Sequence, residues 1–240
     1  MIFATFATSL ATLTSYLQTY CNPHPNLTVS SSPLSGVGLF TTSDIPEDSV
    51  LLQIPLSSCT SASDVKASLP PILKDAPETL ALAAYLYQNY VPSQNPYLDL
   101  CFESVSDHPL VTLRDDVLQN CDDPEIIREV NEIRAEADEA FKILSPHLTT
   151  TKIDPTRFKK SLAIILSRAF AHDDTERLVP GLDFLNHHHL PNINHSIYND
   201  SIIVKASTHL PPTTELLNQY HQPSAPSYVY YSRYGFIPQN

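Results

Sequence analysis

The first third of the chain alternates apolar and polar positions in short runs. Asn26–Ser31, Gly38–Thr42 and Ser49–Leu56, separated by Ser-Pro, Ser-Gly and Pro-Glu-Asp turns, predict three short strands. From Pro77 to Tyr90 the period changes, and Leu80, Ala83, Ala84 and Tyr87 share a helical face. A second helix is predicted from an Asp122 cap and Pro124 in the first turn. Ile126, Val130, Ile133, Ala137, Phe141 and Leu144 lie on its apolar side, and Glu125, Glu129, Glu132, Glu136, Asp138 and Glu139 interleave them as a solvated face. Asp154 and Pro155 open a third helix with Phe158, Leu162, Ile165 and Ala169 on one side. Beyond Gly181 strands return at Ile193–Tyr198, Ser201–Ala206 and Glu215–Tyr220, the first two joined by an Asn199-Asp200 turn. A helix from Ser227 to Tyr234 closes the sequence, and Thr8 to Tyr20 reads as a leading helix packed on the domain. Strands, helices, then strands again is α+β rather than a run of βαβ units. With no repeat or linker, residues 1–240 read as a single domain: N-terminal strands over 1–60, a helical insertion over 61–165 and C-terminal strands over 166–240.

Composition narrows the function classes. A formal net charge of -12 leaves no basic face for a phosphate backbone, so nucleic acid is a poor partner and a protein with a basic surface a better one. The hydrophobic share of 42% and charged share of 17% exclude collagen, disorder and a multi-span membrane protein. Cys21, Cys59, Cys101 and Cys121 are scattered without a paired spacing, a pattern of reduced thiols that points to the cytoplasm or nucleus. Residues 1–43 carry no Lys, Arg, Asp or Glu, and fit neither a secretory signal nor an arginine-rich transit peptide. Proline is common, at 21, while the 4 glycines compare with roughly seventeen at average usage. Gly36, Gly38, Gly181 and Gly235 are therefore expected where backbone needs positive φ or close approach.

Gly36-Val37-Gly38 lacks the third glycine and the following helix of a dinucleotide fingerprint. Asn186-His187-His188-His189 invites a metal site, but neighbours on a strand face opposite ways and no HExxH or cysteine pair completes the ligands, so no metal is expected. Tyr198, Tyr220, Tyr228, Tyr230, Tyr231 and Tyr234 crowd the last part of the chain, where an aromatic core and a functional channel are both open readings.

Five stretches fall in a telling order: Ser35-Gly36-Val37-Gly38-Leu39-Phe40 with Asp44-Ile45, then Ser167-Arg168-Ala169-Phe170, then Val179-Pro180-Gly181-Leu182-Asp183-Phe184-Leu185-Asn186-His187, then Glu215-Leu216-Leu217-Asn218-Gln219-Tyr220, and Tyr234-Gly235-Phe236-Ile237. In that order the sequence resembles SET-domain protein methyltransferases of the Rubisco large-subunit methyltransferase-like class, which also includes the actin-histidine methyltransferase. The resemblance implies a SET fold of short strands with a pseudoknot, interrupted by a helical insertion, and lacking the class's C-terminal substrate-binding domain. It implies S-adenosyl-L-methionine as cofactor, held by Ser35, Gly36, Val37, Gly38, Arg168, Asp183, Asn186, His187 and Tyr220, with Arg168 pairing the methionine carboxylate. Tyr220 would be the catalytic tyrosine, joined by Tyr198 and Tyr234, and Phe170, Leu182, Tyr198, Tyr234 and Phe236 would line the substrate channel. Phe170, Leu182 and Tyr234 differ from the asparagine, tryptophan and serine of the histidine enzyme, so the resemblance implies lysine as acceptor. His221 stands where the class carries glycine. The alternatives are a SET module that binds a peptide or partner without turnover, and a protein-histidine methyltransferase.

Overall fold

The structure, a computed structural model, describes residues 10–34, 36–112, 121–148, 153–222 and 224–238. It divides into two compact units, the first drawn from Met1–Cys59, Ser93–Leu100 and Leu178–Pro223, the second from Thr60–Pro92, Cys101–Arg177 and Ser224–Asn240.

In the first unit the helix Leu10–Tyr20 buries Leu13 and Leu17, each worth about 1.5–3 kcal/mol on burial. Residues 8 and 9 of the expected helix lie outside the described residues. Leu27–Ser31 and Val37–Thr41 form an antiparallel pair with Val29 opposite Leu39, both buried. A three-stranded antiparallel sheet takes Val50–Pro55, Ser201–Ala206 and Ile193–Tyr198 in that spatial order. Its predicted turn is present: Asn199 and Asp200 both have positive φ, 47° and 56°, which matches the twist of the flanking strands.

The expected strand Glu215–Tyr220 shrinks to Leu217–Asn218, which pairs in parallel with Asn186–His187. Side chains account for the truncation. Asn192 Nδ2 donates to Glu215 O and its Oδ1 accepts from Leu217 N, both at 2.8 Å, while Asn218 Oδ1 accepts from Gln219 N at 2.8 Å. These bonds, with Leu216 N donating to Leu39 O at 2.8 Å, occupy backbone groups at and beside the short ladder.

The second unit is mainly helical. Glu78–Asn89, Pro124–Leu144 and Pro155–Arg168 meet around Tyr87, Phe141 and Phe158, whose ring centroids lie 5.2–6.0 Å apart. Arg157 sits over the rings of Tyr87 and Tyr90 at 5.6 and 5.7 Å, an attraction of guanidinium for aromatic faces. The acidic helix buries Ile126, Val130, Ala137, Phe141 and Leu144 as its period requires. Its cap is Asp123 rather than Asp122: the Asp123 carboxylate accepts from Glu125 N at 2.9 Å and Ile126 N at 3.4 Å. Pro124 at the first helical position makes its immediate predecessor the capping residue, the arrangement Asp154 repeats before Pro155.

Ala169, expected on the third helix, is instead its extended C-cap and opens a strand, Ala169–His172. That strand, Thr175–Leu178 and Thr60–Ser61 make a second three-stranded sheet that the sequence reading missed, with Asp173 and Asp174 at positive φ between the first two. Short helices at Ala62–Ser68, Pro71–Lys74 and Pro96–Ser104 were also missed, each too short to show a period. Ser227–Tyr234 forms as predicted and ends on Gly235 at φ 78°, a left-handed cap whose N–H donates to Tyr231 O at 2.9 Å. Gly36 and Gly181 are likewise at positive φ.

The cap assignment has a direct test. Asp123→Ala is expected to lower stability by about 1 kcal/mol and Asp122→Ala by less than about 0.5 kcal/mol, read as urea midpoints. Equal losses at the two positions contradict the assignment.

Candidate functional site

The parallel pairing of Leu217 with Asn186 and Asn218 with His187 sets the site of the first unit. Two residues beyond that ladder, Tyr220 is tied at both ends. Its backbone N–H donates to His187 Nδ1 at 3.1 Å, and its hydroxyl donates to Leu185 O at 2.9 Å. The two rings lie 5.3 Å apart, centroid to centroid. An Nδ1 that accepts must belong to a neutral imidazole protonated at Nε2. The environment favours that form: burial, then the neighbouring His188, His189 and His221, hold His187 below the ordinary value of 6.5.

Upstream, Gly181 turns the chain so that its N–H donates to the buried Asp183 carboxylate at 3.2 Å. Cys21 Sγ donates to Pro180 O at 3.1 Å, and burial, the Asp183 charge and Cys59 push its thiol far up, making it an inert part of the wall. Leu182 is fully buried.

Asn186 faces the Gly36–Gly38 segment. Its Nδ2 donates to Val37 O at 3.1 Å and to Glu215 Oε1 at 2.7 Å, so the amide is oriented by two acceptors. The other carboxylate oxygen of Glu215 accepts from Ser32 Oγ at 3.0 Å. A Cβ on Gly38 would lie 2.5 Å from Glu215 Oε1. The Cβ side of Gly38 is therefore filled by a side chain of the protein itself. Glu215 was missed, although the paired signal was present: a glycine on a strand and an acid in the segment lying against it.

The remaining residues implied by the resemblance distribute as follows. Ser35 lies outside the described residues. Tyr198, at the end of its strand, is 66% exposed. Arg168, Phe170, Tyr234 and Phe236 belong to the second unit. There Arg168 Nη2 donates to Ser104 Oγ at 2.9 Å, and Phe170 lies 6.3 Å from the His172 ring. Tyr230, Tyr234 and Phe236 form a triangle with each pair of centroids 6.1 Å apart, in which Tyr230 is buried and the other two are half-buried. Burial raises the Tyr234 hydroxyl above its ordinary value. Of the consecutive histidines, His188 and His189 stack on each other at 4.4 Å. Among the described residues no group of three or more His, Cys, Asp or Glu is arranged to hold a metal ion, and no helix is long and apolar enough to cross a membrane.

The SET-domain family model matches residues 36–221. Solved structures share the fold: the SET domain of LSMT bound to lysine and AdoHcy superposes with a TM-score of 0.78 at 16% identity, over 95% of this chain and 57% of that one. Rubisco LSMT bound to AdoMet gives 0.79 at 17% identity, over 96% and 57%, and Rubisco LSMT bound to sinefungin and monomethyllysine gives 0.78 at 17%, over 96% and 56%. This chain thus spans a little over half the length of those proteins. No curated protein matches by sequence.

The histidine environment makes a pH prediction. His187, His108 and His172 are all held below 6.5, so between the folded values and 6.5 the unfolded chain binds protons that the folded chain refuses. Stability is expected to fall as pH drops through about 6.5 and to level off below the folded values, with the His187 imidazole titrating below 6.5 by NMR. A His187 that titrates at or above 6.5 contradicts the neutral acceptor.

Proposed function

The chain belongs to the SET-domain family, and on that premise we propose that it is an S-adenosylmethionine-dependent protein-lysine N-methyltransferase. The observation that carries the reading is Tyr220, fixed through His187 at its amide and Leu185 at its hydroxyl.

The residues present suit the cofactor. Both Asn186 amide hydrogens are committed to acceptors, which leaves Oδ1 to accept from a ligand N–H. The Tyr220 and Leu185 oxygens offer an acceptor-rich pair for a polarised methyl group. When bound, S-adenosylmethionine supplies an electrophilic methyl on a sulfonium, and AdoMet and AdoHcy are the ligands of the structurally similar LSMT. We assign the backbone of Gly36, Val37 and Gly38, with Ser35, Asp183, Asn186 and His187, to cofactor binding, and Arg168 to the methionine carboxylate.

Methyl transfer needs alignment and a dry path more than proton traffic. The acceptor lysine must arrive neutral, against a free pKa of about 10.4. Walls that carry no charge favour the neutral amine, and a protonated Tyr234 hydroxyl is such a wall. By the resemblance, Tyr198 and Leu182 in the first unit and Phe170 and Phe236 in the second are assigned to recognition of the acceptor. Phe170, Leu182 and Tyr234 favour lysine over histidine, in keeping with the lysine and monomethyllysine bound by LSMT. The net charge of -12 favours a protein substrate with a basic surface, and the scattered cysteines favour the cytoplasm or nucleus.

Incubating a proteome lysate with tritiated cofactor tests the reading. Wild type should label a protein band and Tyr220→Phe should not, while both bind the cofactor. Cofactor binding without transfer by wild type favours instead a non-catalytic module, for which His221 in place of glycine is the specific observation. Arg168→Ala is expected to weaken cofactor binding by at least about 1.5 kcal/mol, the scale of a hydrogen bond to a charged group. An unchanged dissociation constant removes Arg168 from the site.

A further inference from the structure

Glu215 has no part in the reaction as proposed, yet it sits at the junction of three segments that do. Its backbone is fixed independently of its side chain. Glu215 bridges Phe40 in antiparallel fashion, its carbonyl accepts from Asn192 Nδ2 at 2.8 Å, and the next residue donates from Leu216 N to Leu39 O at 2.8 Å. The carboxylate is thus held against Gly38, Oε1 on Asn186 Nδ2 and Oε2 on Ser32 Oγ. Ser32 is itself buried, its N–H donates to Gly36 O at 3.0 Å, and its Oγ accepts from Leu34 N at 3.0 Å. One side chain therefore ties the turn before Gly38 to the Asn186 amide.

An amide can present either face, and its acceptors decide which. With Glu215 Oε1 at 2.7 Å and Val37 O at 3.1 Å, the NH2 face is turned inward and Oδ1 is left over. Among the described residues nothing donates to that oxygen. Without the carboxylate, a single carbonyl would hold the amide, and a flip about its last torsion would present donors where an acceptor now stands.

We propose that Glu215 is a positioning residue for the cofactor: by filling the space that Gly38 leaves and bonding Asn186 Nδ2, it holds Asn186 Oδ1 ready for an N–H donor of S-adenosylmethionine. The inference rests on the cofactor reading given above. Gly38 is the other half of the device. It has no positive φ, so alanine is conformationally allowed there, and the obstacle to a Cβ is the Glu215 carboxyl at 2.5 Å with Phe40 Cε2 at 3.2 Å.

Calorimetry with S-adenosylhomocysteine on the full chain, with thermal melting as a control, tests this. Glu215→Ala should raise the dissociation constant about tenfold or more at unchanged stoichiometry, the scale of a lost charge-assisted hydrogen bond. Glu215→Gln keeps an oxygen for Asn186 and an NH2 for the Ser32 hydroxyl, and should stay within about threefold of wild type. Gly38→Ala should weaken binding in the wild-type background and add nothing to Glu215→Ala. A merely structural role would lower melting temperature and stoichiometry while the sites that remain keep the wild-type dissociation constant, and that result overturns the proposal. If Glu215→Ala does not fold, Gly38→Ala decides: wild-type affinity there overturns it equally. Folded wild type that binds no cofactor overturns the proposed function, and this inference with it; wild type that binds while Glu215→Ala binds as tightly overturns this inference alone.

Discussion

Two residues of parallel ladder, Leu217–Asn218 beside Asn186–His187, fix what the candidate site can be. Asn186, His187 and Asn218 within the ladder, and Tyr220 two residues beyond it, acquire their geometry from that one pairing. The ladder delivers the Tyr220 amide to His187 Nδ1, and the Tyr220 ring then reaches back to Leu185 O. A slip of one residue would exchange the faces of the strand and break both contacts. The register is held by side chains at its margin, since Asn192 grips the backbone on either side of Leu216 and His188 N donates to Asn218 O at 2.9 Å.

The polar groups around this ladder are matched rather than merely close. His187 accepts because it is neutral, and it is neutral because burial and three other histidines disfavour its charge. Asn186 donates to a carboxylate and a carbonyl, so its orientation is determined. Cys21 keeps its proton and binds Pro180 O, adding no competing nucleophile beside the Asp183 turn. Unpaired buried polar atoms cost free energy, so these bonds favour one orientation each for Asn186, His187 and Tyr220.

Periodicity made the long elements legible. The helices at Glu78–Asn89, Pro124–Leu144 and Pro155–Arg168, and the Ile193–Ala206 hairpin, follow from spacing, proline placement and the Asn-Asp turn. The SET fold followed from the order of five short motifs and agrees with the family match. What spacing could not supply was local competition. Asn192 and Asn218 cut the predicted final strand to two residues, and Pro124 moved the cap from Asp122 to Asp123. The Asp173-Asp174 turn hid a hairpin behind an apolar Ala169 that continued the helical stripe. Gly38 was recognised as a place of close approach, but only coordinates reveal that Glu215 is what approaches.

The central proposal is that this chain transfers a methyl group to the side-chain nitrogen of lysine in a protein. Acid hydrolysis of protein labelled by wild type with tritiated cofactor, followed by amino-acid analysis, measures that claim most directly. The account predicts that the label elutes with N-methylated lysine; label on methylhistidine, or none above the Tyr220→Phe background, would contradict it.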